Sequence, residues 1–221
     1  MCGRFTLRAT PAELQEAFHL LRQLELRPNY NVAPTQSIPV IRETEGHREA
    51  ALMSWGLVPS WAKERKIGNN LINARADGID SKPSFRAAFK RKRCLIPADG
   101  FYEWKVLGPK EKQPYFIHRR DNKPFAFAGL WEFWKSPEGE ELESACLITT
   151  TPNGVMEPIH NRMPVILAPE MYDVWMNTPE GEAKSLLGLL VPCPDDWLVA
   201  EAVSKLVNKP ANNVPQCVVP I

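Results

Sequence analysis

The sequence has 221 residues, of which 44% are hydrophobic and 24% are charged. This length fits a single domain with a core of its own, and the composition excludes disordered, collagen-like and membrane-embedded classes. No apolar run is long enough to span a membrane and no secretory signal is apparent. We therefore expect a cytoplasmic protein with no membrane partner, which in a eukaryote would also be able to enter the nucleus.

The charge is distributed unevenly along the chain. The 27 basic and 26 acidic residues leave a formal net charge of +1, which by itself argues against a nucleic-acid partner. Residues 1–110, however, hold 18 basic and 11 acidic residues, a charge of +7, whereas residues 111–221 hold 9 and 15, a charge of −6. Such asymmetry is typical of a polyanion-binding face, and equally of charges that mix in space once the chain folds.

The first predicted element is a helix near the N-terminus. Thr10 and Glu13 form a capping box with a proline at the first helical position, and the apolar spacing that follows predicts a helix over residues 11–24. The composition of residues 29–34 indicates a loop. Residues 38–41 form a short apolar run that predicts a strand.

Short apolar runs dominate the rest of the chain and predict strands. These strands follow one another instead of alternating with long helices, which favours an α+β fold over a doubly wound sheet. We expect one α+β domain over residues 1–221, with a strand-rich, mostly antiparallel, curved or barrel-like sheet and peripheral helices. Two of these helices are predicted from residue 169 to about 175 and over residues 179–190. The strand-forming runs lie at residues 51–57, 94–97, 114–118, 124–131, 145–149 and 164–168.

A cationic run occupies residues 82–93, with six basic residues and no acidic one. On a helix, Lys82, Arg86, Lys90 and Arg93 fall on one stripe, opposite a stripe of apolar residues. The pattern predicts an amphipathic helix with a positive outer face. That face either binds an anionic partner or is simply solvated.

Five cysteines occur at positions 2, 94, 146, 193 and 217, without a CxxC pair. The odd number argues against a disulfide framework, and the scattered cysteines and histidines show no metal-ligand spacing, so we expect neither a metal nor a cofactor. Cys94, Cys146 and Cys217 lie in apolar stretches and are predicted to be buried strand residues.

Cys2 has chemistry of its own because of its position. If Met1 is removed, the chain begins with an α-amine beside a thiol, and such an amine titrates near ~7.7–8.0, so part of it is nucleophilic at neutral pH. A 1,2-aminothiol condenses with an aldehyde to an imine, which the thiol closes to a thiazolidine. The same groups also suit an N-terminal nucleophile that attacks peptide bonds. Position alone does not separate these roles from an incidental cysteine.

Three internal segments carry polar residues suited to catalysis or anion binding. Asn73 and Arg75 lie two apart in an extended stretch, and therefore on one side of it. Glu103 stands between two aromatic residues, an environment that raises the pKa of a carboxyl. His160 precedes Arg162 by two residues in a proline-bounded loop. Each segment alone is weak evidence, because a single histidine or glutamate is more often structural than catalytic.

Two tryptophans flank the turn at residues 55–61. Trp55 precedes a glycine and is predicted to pack inward. Trp61 lies among polar residues, where it suits stacking on a nucleic-acid base, although core packing is the alternative for either residue.

Taken together and in this order, the sequence blocks resemble the SRAP family, the SOS response-associated peptidases. The resemblance extends from residue 1 to about residue 168, and the ordered set is far more specific than any single block. The blocks are Met1-Cys-Gly-Arg-Phe5, Tyr30-Asn-Val-Ala-Pro34, Trp55-Gly-Leu-Val-Pro59, Ile72-Asn-Ala-Arg75, Cys94-Leu-Ile-Pro-Ala-Asp-Gly-Phe-Tyr-Glu-Trp104, Leu147-Ile-Thr-Thr150 and His160-Asn-Arg-Met-Pro164.

The resemblance implies an abasic-site sensor that acts in the response to DNA damage. Its partner would be single-stranded DNA containing an abasic site, and we expect it to act as a monomer. In the family, the processed N-terminal cysteine forms a thiazolidine with the ring-opened abasic deoxyribose. The chain would thus be a crosslink-forming enzyme, with peptidase-like self-processing of Met1 and a possible lyase activity.

The resemblance also implies roles for individual residues. Cys2 would be the nucleophile, Glu103 would shuttle protons, and His160 would be the acid–base partner, also in reversal. Asn73 would hold the sugar or the Cys2 amine. The remaining implied DNA contacts are the phosphate-binding Arg4, Arg75, Arg86 and Arg162, the site-lining Asn31, Pro34 and Thr149, and Trp61, which would hold the strand open.

Two alternatives stay open at the level of sequence. One is a thiol peptidase that uses Cys2, either on other peptides or on its own Met1–Cys2 bond only. The other is a module that binds single strands or modified bases without a covalent step.

Overall fold

The chain is rich in strands and has short helices at the periphery. The structure is a computed structural model that describes residues 2–221. The helices are α1 (Pro11–Phe18), α2 (Arg86–Arg91) and α3 (Tyr172–Asn177). The strands are β1 (Phe5–Leu7), β2 (Asn29–Val32), β3 (Ser37–Thr44), β4 (His47–Trp55), β5 (Asn73–Arg75), β6 (Arg93–Ala98), β7 (Gly100–Gly108), β8 (Glu111–Arg119), β9 (Phe125–Lys135), β10 (Glu141–Thr150), β11 (Met163–Pro164), β12 (Ile166–Leu167) and β13 (Leu198–Ala202).

Five of these strands close into a barrel. β3 pairs with β4 and β6, β9 pairs with β6 and β10, and β10 returns to β4, so that the ring has no free edge among its members. All of these pairings are antiparallel except that of β10 with β4. β10 also pairs in parallel with the short strand β5, which places Asn73 opposite Leu147.

A second, five-stranded sheet packs on this barrel. Its order is β13-β8-β7-β1-β2, and each pairing in it is antiparallel. Phe5 of β1 lies edge-on to Trp55 at 5.1 Å and to Phe127 at 5.9 Å, and Phe101 of β7 lies 6.0 Å from Phe127. These buried aromatic contacts, which are stabilising beyond the area they bury, fix the N-terminal strand on the barrel.

The architecture confirms the predicted fold class: it is α+β, strand-rich, mostly antiparallel and barrel-like, with helices at the periphery. Each predicted apolar run coincides with a strand or a pair of short strands. Among residues 2–221, no helix has the length and apolar character needed to cross a membrane.

The prediction for residues 11–34 was wrong in two places. The capping box forms as expected, but the helix ends at Phe18 because His19 adopts a left-handed conformation (φ 52°) and its N–H bonds back to carbonyls of the last turn. The predicted loop at residues 29–34 is largely the strand β2. Val32 lies opposite Phe5, so pairing with β1 overrides the loop-forming composition.

The cationic run also differs from its prediction. Helix α2 is only six residues long, and Arg93 begins β6 instead of continuing the positive stripe. The guanidinium of Arg93 is buried and donates to backbone carbonyls, including that of Trp175 at 2.6 Å, and burial lowers its pKa. Arg93 therefore joins α2 and α3 to the barrel instead of facing solvent.

Of the two predicted C-terminal helices, the first is partly a 3₁₀ turn and the second is a 3₁₀ helix instead of an α-helix. Residues Pro169–Met171 form a 3₁₀ turn that leads into α3, and the helix predicted at residues 179–190 is a 3₁₀ segment, Glu180–Leu189. Cys94 and Cys146 are buried in strands as predicted. Cys217 is buried but lies in a 3₁₀ segment, Pro215–Val218, so its assignment to a strand was wrong.

Asp99, in the turn between β6 and β7, binds the end of β1 and the residues after it. Its carboxylate accepts from the Thr6 hydroxyl (2.5 Å), the Ala9 amide (2.9 Å), and both the amide and the guanidinium of Arg8, the latter at 2.9 Å. Because Asp99 is buried, these donors are shielded from water and fix the path of the N-terminal strand.

Asp99→Ala is expected to lower the free energy of unfolding by about 2–4 kcal/mol, since it leaves several buried donors without an acceptor. Chemical denaturation measures this loss. The control is Asp121→Ala, which breaks the exposed ion pair with Arg119 and should cost less than about 1 kcal/mol. Equal losses in the two variants would show that Asp99 does not organise the strand.

Candidate functional site

Cys2 lies buried at the start of β1, where the small sheet meets the barrel. Its carbonyl accepts a hydrogen bond from the side-chain amide of Asn73 at 2.7 Å, and its thiol lies 3.8 Å from the carbonyl of Arg4. Burial raises the pKa of the Cys2 thiol far above its ordinary value, and the nearby Glu103 raises it further. The thiol is therefore neutral at physiological pH.

Asn73 connects Cys2 to the barrel. It begins β5, whose parallel pairing with β10 fixes its register, and its side chain is buried. Because the amide nitrogen donates to Cys2, the Oδ1 atom faces the other way, and it has no hydrogen-bond partner within residues 2–221. A buried acceptor of this kind is suited to a donor on a bound molecule.

Glu103 and His160 lie together beside Cys2. The Glu103 Oε2 and the His160 Nε2 are 4.0 Å apart, with the Glu103 side chain 4% exposed and that of His160 25% exposed. Burial raises the pKa of the Glu103 carboxyl, and a charge on His160 opposes that rise. The elevated pKa keeps the carboxyl protonated, and so available as a proton donor, to higher pH than an exposed glutamate.

The predicted elevation of the Glu103 pKa is confirmed, but its cause differs from the one expected. Side chains alternate along a strand, so Tyr102 and Trp104 lie on the opposite face of β7 and pack with each other at 6.5 Å. The Glu103 carboxyl is instead buried on the face that carries the contact with His160.

The hydrogen bonds of His160 orient its ring. The backbone N–H of Arg162 donates to Nδ1 at 3.0 Å, which assigns the proton of the neutral imidazole to Nε2, on the side of Glu103. The carbonyl of Arg162 lies 3.1 Å from the same Nδ1 and accepts from it when the ring is protonated. The Nδ1 atom of His160 thus has both a backbone donor and a backbone acceptor within hydrogen-bond distance in this loop.

Two arginines border the site. Arg75 projects from β5 and is exposed, whereas Arg162 is held by a bond from its guanidinium to the carbonyl of Thr149 at 2.7 Å. Both contact the carboxylate of Asp77, Arg75 at 3.0 Å and Arg162 at 3.1 Å. Thr149 is buried and supports Arg162 through its backbone, which places it behind the surface instead of on it.

Arg4 and Asn31, both predicted to contact DNA, are engaged within the protein. The Arg4 guanidinium donates to the Asn31 side chain at 2.6 Å and to the carbonyl of Val207 at 2.9 Å. The Asn31 amide donates to the carbonyls of Lys209 at 3.0 Å and Asn212 at 2.8 Å. These two residues attach the C-terminal segment to β1 and β2, a role that the sequence analysis missed because the partners lie about 180–200 positions away.

The other predicted contacts lie on the surface. Trp61 is 58% exposed and borders a groove of about 570 Å³ that also includes Lys63 and Lys66. Arg86 is exposed at the start of α2, and Pro34 is partly exposed after β2. A second groove, of about 510 Å³, was not predicted; it is lined by Arg4, Trp104, Lys110, Lys112, Lys205 and Asn208.

In residues 2–221 no group of three or more His, Cys, Asp or Glu side chains is arranged to hold a metal ion. The expected removal of Met1 concerns a residue outside that described range.

Comparison with known proteins identifies relatives along the full chain. The family model for "SOS response associated peptidase (SRAP)" matches residues 1–210. The abasic site processing protein YoqW of Bacillus subtilis (strain 168) is 47% identical over 221 residues, 99% of either chain. The abasic site processing protein HMCES of Rattus norvegicus is 34% identical, over 87% of this chain and 65% of its own. A crystal structure of a protein from Bacteroides thetaiotaomicron superimposes with a TM-score of 0.87 at 28% identity, over 100% of both chains.

Asn31→Ala is expected to lower the free energy of unfolding by about 1–3 kcal/mol, because it deprives Arg4 and the C-terminal segment of buried hydrogen bonds. Denaturation measures this effect, and Asn69→Ala, at an exposed position, should stay within about 0.5 kcal/mol of the parent. If stability is unchanged while binding to single-stranded DNA loses salt dependence, Asn31 contacts phosphate instead.

Proposed function

Because the chain belongs to the SRAP family, we propose that it recognises an abasic site in single-stranded DNA and joins Cys2 to the lesion as a thiazolidine. The relatives named above are abasic site processing proteins, which supports DNA with abasic sites as the partner. The observation that carries the proposal is the convergence of Cys2, Asn73, Glu103 and His160 at the sheet–barrel junction. The result is a shield over the lesion during the response to DNA damage.

The proposed reaction begins once Met1 has been removed and the Cys2 α-amine is free. The amine adds to the C1′ aldehyde of the ring-opened deoxyribose, and the resulting carbinolamine loses one water to give an imine. The thiol sulfur then bonds to the same carbon while its proton passes to the nitrogen, which closes the thiazolidine. The net change is the addition of the DNA strand with loss of one water.

The state of the Cys2 thiol supports this order. Burial keeps the thiol neutral, whereas an α-amine with a pKa near ~7.7–8.0 is partly unprotonated at neutral pH. The amine is therefore the better first nucleophile, and the thiol acts when it can give up its proton to the imine nitrogen. A thiol peptidase would need a thiolate instead, which this environment disfavours.

Glu103 and His160 supply the proton transfers in this proposal. A protonated Glu103 donates to the ring oxygen as the sugar opens and to the hydroxyl that leaves as water. His160, oriented by Arg162, exchanges protons with the carboxyl at 4.0 Å. Asn73 fixes the Cys2 carbonyl so that the amine faces these groups, and its Oδ1 is placed to accept from the amine or the sugar.

The DNA on either side of the lesion is proposed to lie across the surface that carries Arg75 and Arg162. Arg75 and Arg162 are suited to phosphates on either side of the lesion, and the exposed Trp61 is suited to stack on a base. Arg86 and the partly exposed Pro34 are further proposed contacts. Thr149 supports Arg162 through its carbonyl, and Arg4 is held by Asn31 and Val207. Phosphate contacts carry no sequence information, so the binding is independent of sequence and falls with salt.

The covalent step is tested with single-stranded DNA that contains one abasic site. The parent protein should give a heat-stable shifted band on a denaturing gel, and intact mass spectrometry should show loss of Met1 and addition of the strand minus one water. Cys2→Ala should abolish the band. Cys2→Ser keeps the amine but lacks the thiol, so its imine should survive denaturation only after borohydride reduction.

Undamaged DNA of the same sequence is the control for this experiment. Equal retention of damaged and undamaged strands, with nothing surviving denaturation, would instead support a non-covalent binding module. Cleavage of the DNA strand would indicate lyase activity, arising from an imine that has not closed to the thiazolidine.

Glu103→Gln should slow adduct formation by about 100-fold while leaving DNA affinity nearly unchanged, because it removes a proton donor but no phosphate contact. Since the carboxyl has a raised pKa, it remains protonated to higher pH than an exposed glutamate, and its donor role is lost as pH rises through that pKa. Single-turnover rates across pH should therefore show a decline in the parent that is absent in the variant. Parallel loss of affinity and rate would make Glu103 structural.

A further inference from the structure

One carboxylate is shared by the two arginines that border the site. Asp77 accepts from the Arg75 Nε at 3.2 Å through Oδ1 and lies 3.0 Å from an Arg75 terminal nitrogen through Oδ2, a two-pronged contact. The Arg162 guanidinium reaches the same Oδ1 at 3.1 Å. Asp77 thus bridges a residue of β5 and a residue of the loop after β10.

The position of Asp77 is exposed and its carboxylate is charged. Its side chain is 57% exposed, and the hydrogen bond from Arg75 lowers its pKa. Exposed ion pairs contribute little to stability, so the bridge is not needed to hold the fold together. Instead, the bridge lowers the positive charge that Arg75 and Arg162 present at the surface.

A carboxylate and a phosphate present similar paired oxygens to a guanidinium. The carboxylate of Asp77 therefore occupies, in the DNA-free protein, the donors that a phosphate would use on Arg75 and Arg162. It also reduces the formal charge of this three-residue cluster from +2 to +1. An incoming phosphate must displace Asp77 or bind beside its negative charge.

We propose that Asp77 determines specificity by competing with DNA phosphate for Arg75 and Arg162, which weakens binding to undamaged single strands. This inference rests on the proposed function, in which a covalent bond keeps the protein attached at a lesion. Intact DNA, by contrast, would be bound only transiently. A protein that bound every single strand tightly would be occupied by undamaged DNA, which greatly exceeds the lesions in amount.

The test is Asp77→Asn, measured by fluorescence anisotropy with an undamaged single-stranded oligonucleotide over a range of salt concentrations. The variant should bind about threefold to tenfold more tightly, because a charge within contact distance is removed. The slope of log affinity against log salt should steepen by about 0.7, the value for one more neutralised phosphate on a single strand. Asp77→Glu should restore the affinity of the parent.

Asp80→Asn is the matched control, since it removes the same charge three positions along the chain and Asp80 makes no ion pair with Arg75 or Arg162. Unchanged or weaker binding by Asp77→Asn overturns the proposal, as does an equal gain in Asp80→Asn. Thermal melting checks that each variant is folded, and Asp77→Ser provides a second substitution with the same expected gain.

The denaturing gel separates this inference from the proposed function. If the parent protein forms no adduct with the abasic strand, the proposed function fails irrespective of Asp77. If the adduct forms but Asp77→Asn does not tighten binding to intact DNA, only the role of Asp77 fails.

Discussion

The hydrogen bond from the Asn73 amide to the Cys2 carbonyl is the interaction on which the site depends. It joins the beginning of the chain to β5, a three-residue strand whose position is set by its pairing with β10. β10 in turn closes the barrel. Cys2, the nucleophile of the proposed reaction, is thereby attached to the closed barrel, although it stands at a position where chains are usually mobile.

The pairing of β1 with β7 brings Glu103 to the same place. Phe5 lies opposite Phe101, which sets Glu103 two residues further along β7 and close to the start of the chain. Asp99 binds the segment from Thr6 to Ala9, and the aromatic contacts of Phe5 fix the first residue of β1. Backbone register therefore locates Asn73 and Glu103, whereas His160 is oriented within its loop by the hydrogen bond from Arg162.

The parts of the fold that depend on residues close together in the sequence were predicted correctly. The capping box at Thr10 and the apolar strands follow from local patterns, whereas the site residues were named through resemblance to a family and not through spacing. Two features required knowledge of distant contacts: the burial of Arg93, and the attachment of Arg4 and Asn31 to residues near position 210. Asp77 lies only two residues from Arg75, but its second partner is 85 positions away.

The burial of Cys2 has a consequence for the lifetime of the protein in the cell. Oxidants and electrophilic metabolites react with the thiolate, and a neutral thiol without solvent access offers them neither charge nor approach. In the proposed reaction, each thiazolidine would consume one protein molecule for as long as the adduct persists, so a molecule whose cysteine had been oxidised to sulfenic acid could not react when a lesion arrived. The same burial that disfavours the thiolate would preserve the thiol in reduced form until then.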